Sequence, residues 1–196
     1  MTKQFSPACD RNQTPIFEQL SKHFKTAQQV LEVGSGTGQH AVYFAKRLPH
    51  LIWHTTDMPD NHDSINQWID DAGLDNVTRP INFTVGRDDW PNINADCVFS
   101  ANTAHIMQPH EAKKMMELVS LNLIEGGTFC QYGPMKVDGE YTSESNHEFD
   151  LSLQQRGYGG IRDIEELTLW GKGLELVEQI AMPANNFLLV WKKSKA

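Results

Sequence analysis

Val30-Leu31-Glu32-Val33-Gly34-Ser35-Gly36-Thr37-Gly38 is the stretch on which the reading of the chain turns. An apolar run ends in three glycines at alternate positions. The residues that follow put Ala41, Val42, Phe44, Ala45 and Leu48 on one side of a helical repeat. A short strand that breaks into a glycine loop and restarts as a helix is the opening of a βαβ unit. Glycines at that break permit positive φ and let a ligand approach the backbone closely. The helix start adds free N–H groups.

Working outward, the same alternation continues. A second strand is expected over 51–56, followed at once by Asp57, and a helix over 62–72 carries Ile65, Trp68 and Ile69 before Gly73. Further strands are expected over 81–85, 96–101 and 128–132, with a helix over 110–123 between the last two. Upstream, Thr14-Pro15 reads as an N-cap with proline in the first turn, which predicts a helix over about 15–25. Residues 134–162 are polar and glycine-rich, with a helix expected near 145–156. A helix over about 163–171 then precedes strands at 174–181 and 187–192. Those two are joined by too few residues for a crossover helix and must pair antiparallel. The pattern predicts an α/β fold: a mostly parallel, Rossmann-like sheet with helices on both faces and an antiparallel last strand. It also predicts one domain over residues 1–196, with 134–162 as a polar insertion after the fifth strand.

Bulk properties restrict the function. The 196 residues carry a formal net charge of -8, with 39% hydrophobic and 21% charged residues. No basic stripe suited to displacing counterions from phosphates is visible, which argues against nucleic acid as a partner. No run of about 18 apolar residues exists, and the first residues lack the apolar core of a signal peptide, so neither a membrane span nor export is expected. The three cysteines have no Cys-x-x-Cys spacing and build neither a disulfide framework nor a zinc site. Cys97 and Cys130 read as buried thiols, and a reducing cytoplasm is the expected compartment.

The glycine loop has the spacing G-x-G-x-G, whereas the nicotinamide and flavin fingerprint is G-x-G-x-x-G. Glu32 immediately before it repels a pyrophosphate and suits a cofactor that carries an ammonium and a sulfonium. Asp57, nineteen residues beyond Gly38 and at a strand end, is placed to accept hydrogen bonds from ribose hydroxyls.

With these pieces the chain resembles the class I S-adenosylmethionine-dependent methyltransferases. It is most similar to a small family often called methyltransferase-like protein twenty-six, or a domain of unknown function. The similarity covers nearly the whole chain. It is carried by Asp10-Arg11-Asn12, the Glu32 to Gly38 loop with Gln39-His40, and the segment from Ser100 to Ile106. Further matches are Tyr132-Gly133-Pro134, Ser145-Asn146, Phe149-Asp150, the stretch from Gly160 to Asp163, and Met182 to Asn186. The resemblance implies a seven-stranded sheet of order 3-2-1-4-5-7-6. It implies that Glu32, Gly34, Gly36 and Gly38, with Ser35, hold the methionine part of S-adenosyl-L-methionine and Asp57 its ribose, with Val85 and Asn102 as further cofactor contacts. It also implies that residues 1–27 form an N-terminal helical lid. One departure stands out: Thr84 occupies the place where the family pattern has an acid for the adenine amino group, and Asp88 or Asp89 are the available substitutes.

The remaining candidates concern the acceptor. His105 is the best-placed titratable group after the fourth strand, either as a general base or as a packing residue. Asp150 is the second candidate for catalysis. Arg11, Asn12, Tyr132, Asn146, Arg162 and Asn185 are expected to bind the acceptor, the two arginines matching a carboxylate or phosphate. Asp10-Arg11-Asn12 has the alternative of capping the first helix, and Asn185-Asn186 that of forming a tight turn. The favoured reading is methyl transfer to a small polar acceptor, with no metal. An aminopropyltransferase-like enzyme and a non-catalytic cofactor-binding protein are the alternatives.

Overall fold

The structure is a computed structural model and describes residues 3–195. Its elements are α1 (Pro7–His23), β1 (Gln29–Val33), α2 (Gln39–Arg47), β2 (Ile52–Asp57), α3 (Pro59–Ala72), β3 (Val77–Asn82), β4 (Cys97–Ala101), α4 (Pro109–Asn122) and β5 (Thr128–Gly133). They are followed by β6 (Lys136–Val137), β7 (Glu140–Tyr141), α5 (Glu144–Gln155), α6 (Ile164–Trp170), β8 (Leu174–Met182) and β9 (Asn186–Lys193). Seven strands form one sheet in the order β3-β2-β1-β4-β5-β9-β8. Strand β1 pairs in parallel with β2 and β4, and β2 with β3, whereas β9 runs antiparallel to both β5 and β8. This is the expected Rossmann-like sheet with its antiparallel last strand. By contact density the chain divides into two compact units, the first ending at Ser100 and the second beginning at Ala101.

Local chemistry sets most element ends. Helix α1 starts at Pro7, not near Thr14: Ser6 caps it by accepting from the Cys9 amide at 3.3 Å. Pro15 lies inside the helix and removes the hydrogen bond to the Arg11 carbonyl. Ser6-Pro7 carries the same cap-and-proline signal as Thr14-Pro15, and Asp10-Arg11-Asn12 accordingly lie on the helix, not ahead of it. Pro59 and Pro109 likewise stand in the first turns of α3 and α4, and Asp163 caps α6 by accepting from the Glu165 amide at 2.7 Å. Strand β3 occupies Val77–Asn82, four residues earlier than expected, because an edge strand tolerates Arg79 and Pro80 that a central strand does not.

In the first unit, Phe44, Trp53 and Phe99 pack with ring centroids 5.4 to 5.7 Å apart, and α1 with its C-cap adds Ile16, Leu20 and Phe24, all fully buried. In the second, Phe129, Leu188, Trp191, Met115, Met116 and Leu167 are fully buried. Residues 136–141, within the polar stretch after β5, form a small β6–β7 hairpin. Its turn, Asp138-Gly139, has φ of 53° and 81°, the geometry that dipeptide favours.

Candidate functional site

The candidate residues fall in two sets, one in each unit. In the first unit the loop after β1 takes left-handed backbone at every second residue: Gly34, Gly36 and Gly38 have φ of 76°, 56° and 93°. At Gly38 no other residue fits, since an added Cβ would lie 2.9 Å from the Ile65 Cα. At Gly36 the opposite holds. An added Cβ would meet nothing within 4 Å, so the loop presents bare backbone to open space there.

Two buried acids hold this loop. Asp57, at the end of β2, accepts from the Gly36 amide at 2.6 Å through Oδ2, and from the Met58 amide and the Asn61 side chain at 2.7 and 2.9 Å through Oδ1. A carboxylate has about four acceptor positions. Three are in use, which leaves one on Oδ2, and a second becomes available if Asn61 turns away. Glu32 is 2% exposed, and its Oε2 accepts from Ser35 Oγ at 2.8 Å and Trp53 Nε1 at 2.9 Å. Burial pushes its carboxyl up to about 7; those two hydrogen bonds pull it down, and the Asp57 charge adds to the rise. Ser35 Oγ also accepts from the Thr56 amide at 3.2 Å, which ties the loop to β2.

The N-terminal segment closes the same unit. Ser6 exchanges hydrogen bonds with the Gln39 side chain, the Gln4 amide donates to Ser64 Oγ at 2.9 Å, and Trp68 Nε1 donates to the Gln4 carbonyl at 2.8 Å. Asn12 is buried with Oδ1 2.7 Å from His40 Nε2, while Arg11 beside it is exposed. Burial holds the His40 imidazole neutral, with its pKa down to about 4, and its ring stacks on Phe44 at 5.1 Å. Cys9 is half-buried near Glu32 and Thr37, with its thiol pushed up by burial; nothing in the sequence marked it. After β3, Val85 is buried. Asp88 accepts from the Thr84 amide at 2.7 Å, which shapes the 84–88 turn.

In the second unit Asn102 has φ of 57°, held by its amide donating to the Tyr132 carbonyl at 2.9 Å. Tyr132 is itself buried on β5. His105 is 6% exposed, with its carbonyl accepting from the Gly160 amide at 3.1 Å and its ring edge-on to Phe149 at 5.5 Å. Burial lowers its pKa to about 4, against a smaller upward effect of the Asp150 charge. The imidazole is therefore neutral at physiological pH, and a weak base.

Three of the expected acceptor-side groups turn inward. Asp150 accepts from the Ile161 amide at 2.6 Å, Tyr141 Oη at 2.5 Å and Gln154 Nε2 at 3.1 Å, with Lys136 Nζ at 3.6 Å. Burial raises its pKa, but Tyr141, the Ile161 amide and Lys136 together bring it below the ordinary carboxylate value. This arrangement ties the β6–β7 hairpin, α5 and the Gly160 turn together. Arg162 donates to the Gly160 carbonyl through Nε at 3.1 Å and to the Gly159 carbonyl through Nη2 at 2.6 Å, with Glu166 3.9 Å from Nη1. Asn146 and Asn185 do come together: Asn146 Nδ2 donates to the Asn185 carbonyl at 3.0 Å. The bond clips α5 to the β8–β9 turn, where Ala184 and Asn185 both have left-handed backbone. Tyr141 and Lys136 were missed because their hairpin was missed; the Asp138-Gly139 dipeptide was the available signal.

Among the described residues no group of three or more His, Cys, Asp or Glu is placed to hold a metal ion, and no helix is long and apolar enough to cross a membrane. The fold is shared with solved methyltransferases. The apo S-adenosylmethionine-dependent methyltransferase SibL matches with a TM-score of 0.79 at 20% identity, over 96% of this chain and 56% of SibL. An O-methyltransferase family 2 protein from Planctomyces limnophilus, in complex with apigenin, matches with 0.80 at 18%, over 95% and 58%. Human N-acetylserotonin methyltransferase in complex with SAM matches with 0.74 at 13%, over 96% and 58%. The chain thus spans somewhat more than half the length of these neighbours. Residues 3–193 match the family described as Protein of unknown function (DUF938), and the chain belongs to that family.

Proposed function

We propose that this chain is an S-adenosylmethionine-dependent methyltransferase acting on a small polar acceptor, within the kinship to methyltransferase-like protein twenty-six that its motifs suggest. The observation that carries the reading is the open face at Gly36, bounded by Asp57 on the Gly36 amide at 2.6 Å and preceded by the buried Glu32. Bare backbone flanked by two acids fits a cofactor with a cationic amino acid and a ribose, and does not fit a pyrophosphate. When bound, the sulfonium supplies an electrophilic methyl group, so the protein's work is positioning and exclusion of water. Glu32 would face the ammonium, Gly34 through Gly38 the methionine chain, Asp57 the ribose through its unused acceptor position, and Val85 the adenine.

An aminopropyltransferase-like activity is less well supported. Such an enzyme needs free acids around a polyamine. The buried acids of the second unit, Asp150 and Asp163, are committed to scaffolding: Asp163 accepts from the Glu165 and Gly139 amides, each at 2.7 Å.

Thermal shifts with S-adenosylmethionine, its decarboxylated form and NAD test the proposal. The intact cofactor should stabilise the protein most, and Asp57→Ala should reduce that shift far more than Asp88→Ala. Each charged hydrogen bond is worth about 1.5–3 kcal/mol. Equal shifts for the two variants, or a preference for NAD, would remove the assignment.

A further inference from the structure

Asn102 and His105 were expected to serve the cofactor and the proton, respectively. Their geometry gives them a common task. A methyl group on Gly133 would lie 3.7 Å from Asn102 Oδ1, 3.8 Å from His105 Nδ1 and 3.9 Å from Met135 Cε. Two hydrogen-bonding atoms thus converge on one small space in front of β5, which Gly133 keeps clear. Among the described residues no hydrogen bond reaches the imidazole nitrogens of His105 or the side-chain amide of Asn102, although His105 is 6% exposed. Among the described residues the buried side-chain atoms without a partner belong to Gln131 and Trp191, so the polar atoms of Asn102 and His105 reach solvent and are open to a ligand. Asn102 also holds left-handed backbone at φ 57°, which an asparagine adopts readily.

We infer that Asn102 Oδ1 and His105 Nδ1 form a two-point cradle for the uncharged –NH2 group of a weakly basic amine. The methyl-transfer reading is needed only for what happens to that group, not for its binding. The charge balance around the cradle selects the class. His105 is held neutral, Arg162 is bound to backbone carbonyls, and Lys136 lies beside Asp150 and over the Tyr141 ring. Arg156, whose charge also reaches His105, donates to the Ser152 carbonyl and lies over the Tyr158 ring, so each of these cations already has a partner. An alkyl amine, charged at neutral pH, would find no free carboxylate there, since four groups surround that of Asp150. Asn102 Oδ1 accepts only, and Nδ1 accepts when the proton sits on Nε2, so the pair matches the two N–H bonds of one –NH2.

Base strength separates amine from hydroxyl. A phenolic proton has a pKa near 10, and burial keeps the His105 imidazole too weak a base to remove it readily. A neutral amine needs no prior deprotonation. Its nitrogen lone pair forms the new N–C bond as the C–S bond breaks and leaves its electron pair on sulfur. The cationic product nitrogen then gives a proton to water.

The test uses the full chain with aniline, phenol and benzylamine as probes of one shape, read by saturation-transfer NMR and by titration. Aniline should bind best. Asn102→Gly and His105→Phe should each weaken it about fivefold to tenfold while leaving the melting temperature unchanged or higher. Glycine suits the left-handed position, and phenylalanine keeps the ring contact with Phe149. Preference for phenol or benzylamine, or unaltered aniline binding in both variants, would overturn the inference. A second readout needs no ligand: long-range proton–nitrogen spectra of the His105 ring should show Nδ1 unprotonated, and a proton on Nδ1 would overturn it. S-adenosylhomocysteine binding in the same samples separates the two claims. S-adenosylhomocysteine binding without aniline binding sinks the cradle alone, and the converse sinks the methyltransferase reading alone.

Discussion

Glu32 and Asp150 are both buried carboxyls, and they titrate in opposite directions. Glu32, in the first unit, meets a hydroxyl and an indole N–H, both neutral, and burial prevails: its pKa stands at about 7. Asp150, in the second unit, meets a phenol, a backbone amide and an ammonium, which together outweigh its burial and hold it low. Depth alone therefore does not decide what a buried acid is for; its donors do. One acid is left short of positive charge and suited to a cationic ligand. The other is satisfied and structural.

The largest effect expected from this contrast is on Asp150. Asp150→Asn leaves Lys136 without its carboxylate and places an N–H among donors, and it should destabilise the fold by about 3 kcal/mol in urea melts. Binding of S-adenosylmethionine by the first unit's loop should not depend on it. A variant with parental stability but no turnover would return Asp150 to the role of proton acceptor.

Glu32 should show the reverse behaviour. Its folded pKa of about 7 lies above the ordinary 4.5, so its contribution is fully present below pH 4.5 and is lost as pH rises through 7. Glu32→Gln keeps an oxygen for Ser35 and Trp53 and lacks the titration. Its stability advantage over the parent should grow by about 2 to 3 kcal/mol between pH 5 and 8. An advantage that stays flat with pH would mean that the carboxyl titrates normally.

The two regions also differ in how far the sequence disclosed them. The glycine loop and Asp57 were legible because their chemistry is in the backbone and in strand ends, which sequence spacing fixes. The acceptor-side residues were found by position, but what they do was not readable. Whether Arg162 binds an anion or the Gly159 carbonyl depends on a turn three residues away closing on it. Asp150 depends on Tyr141 and Lys136, which reach it through a hairpin of two-residue strands too short for hydrophobic alternation to reveal. The first helix was begun late because Ser6-Pro7 and Thr14-Pro15 carry the same signal, and only packing of Asn12, Ile16 and Leu20 in the interior of the first unit distinguishes them. Strand β3 was displaced because Arg79 and Pro80 look unlike a strand until its edge position is known.

The central claim is that the open backbone at Gly36 is a cofactor seat, and calorimetric titration of S-adenosylhomocysteine tests it most directly. The account predicts one site of about micromolar affinity in the parent chain, and loss of that heat in Gly36→Leu, whose side chain fills the space where no atom now lies within 4 Å. Absence of heat in the parent, or undiminished binding in a folded Gly36→Leu, would contradict it.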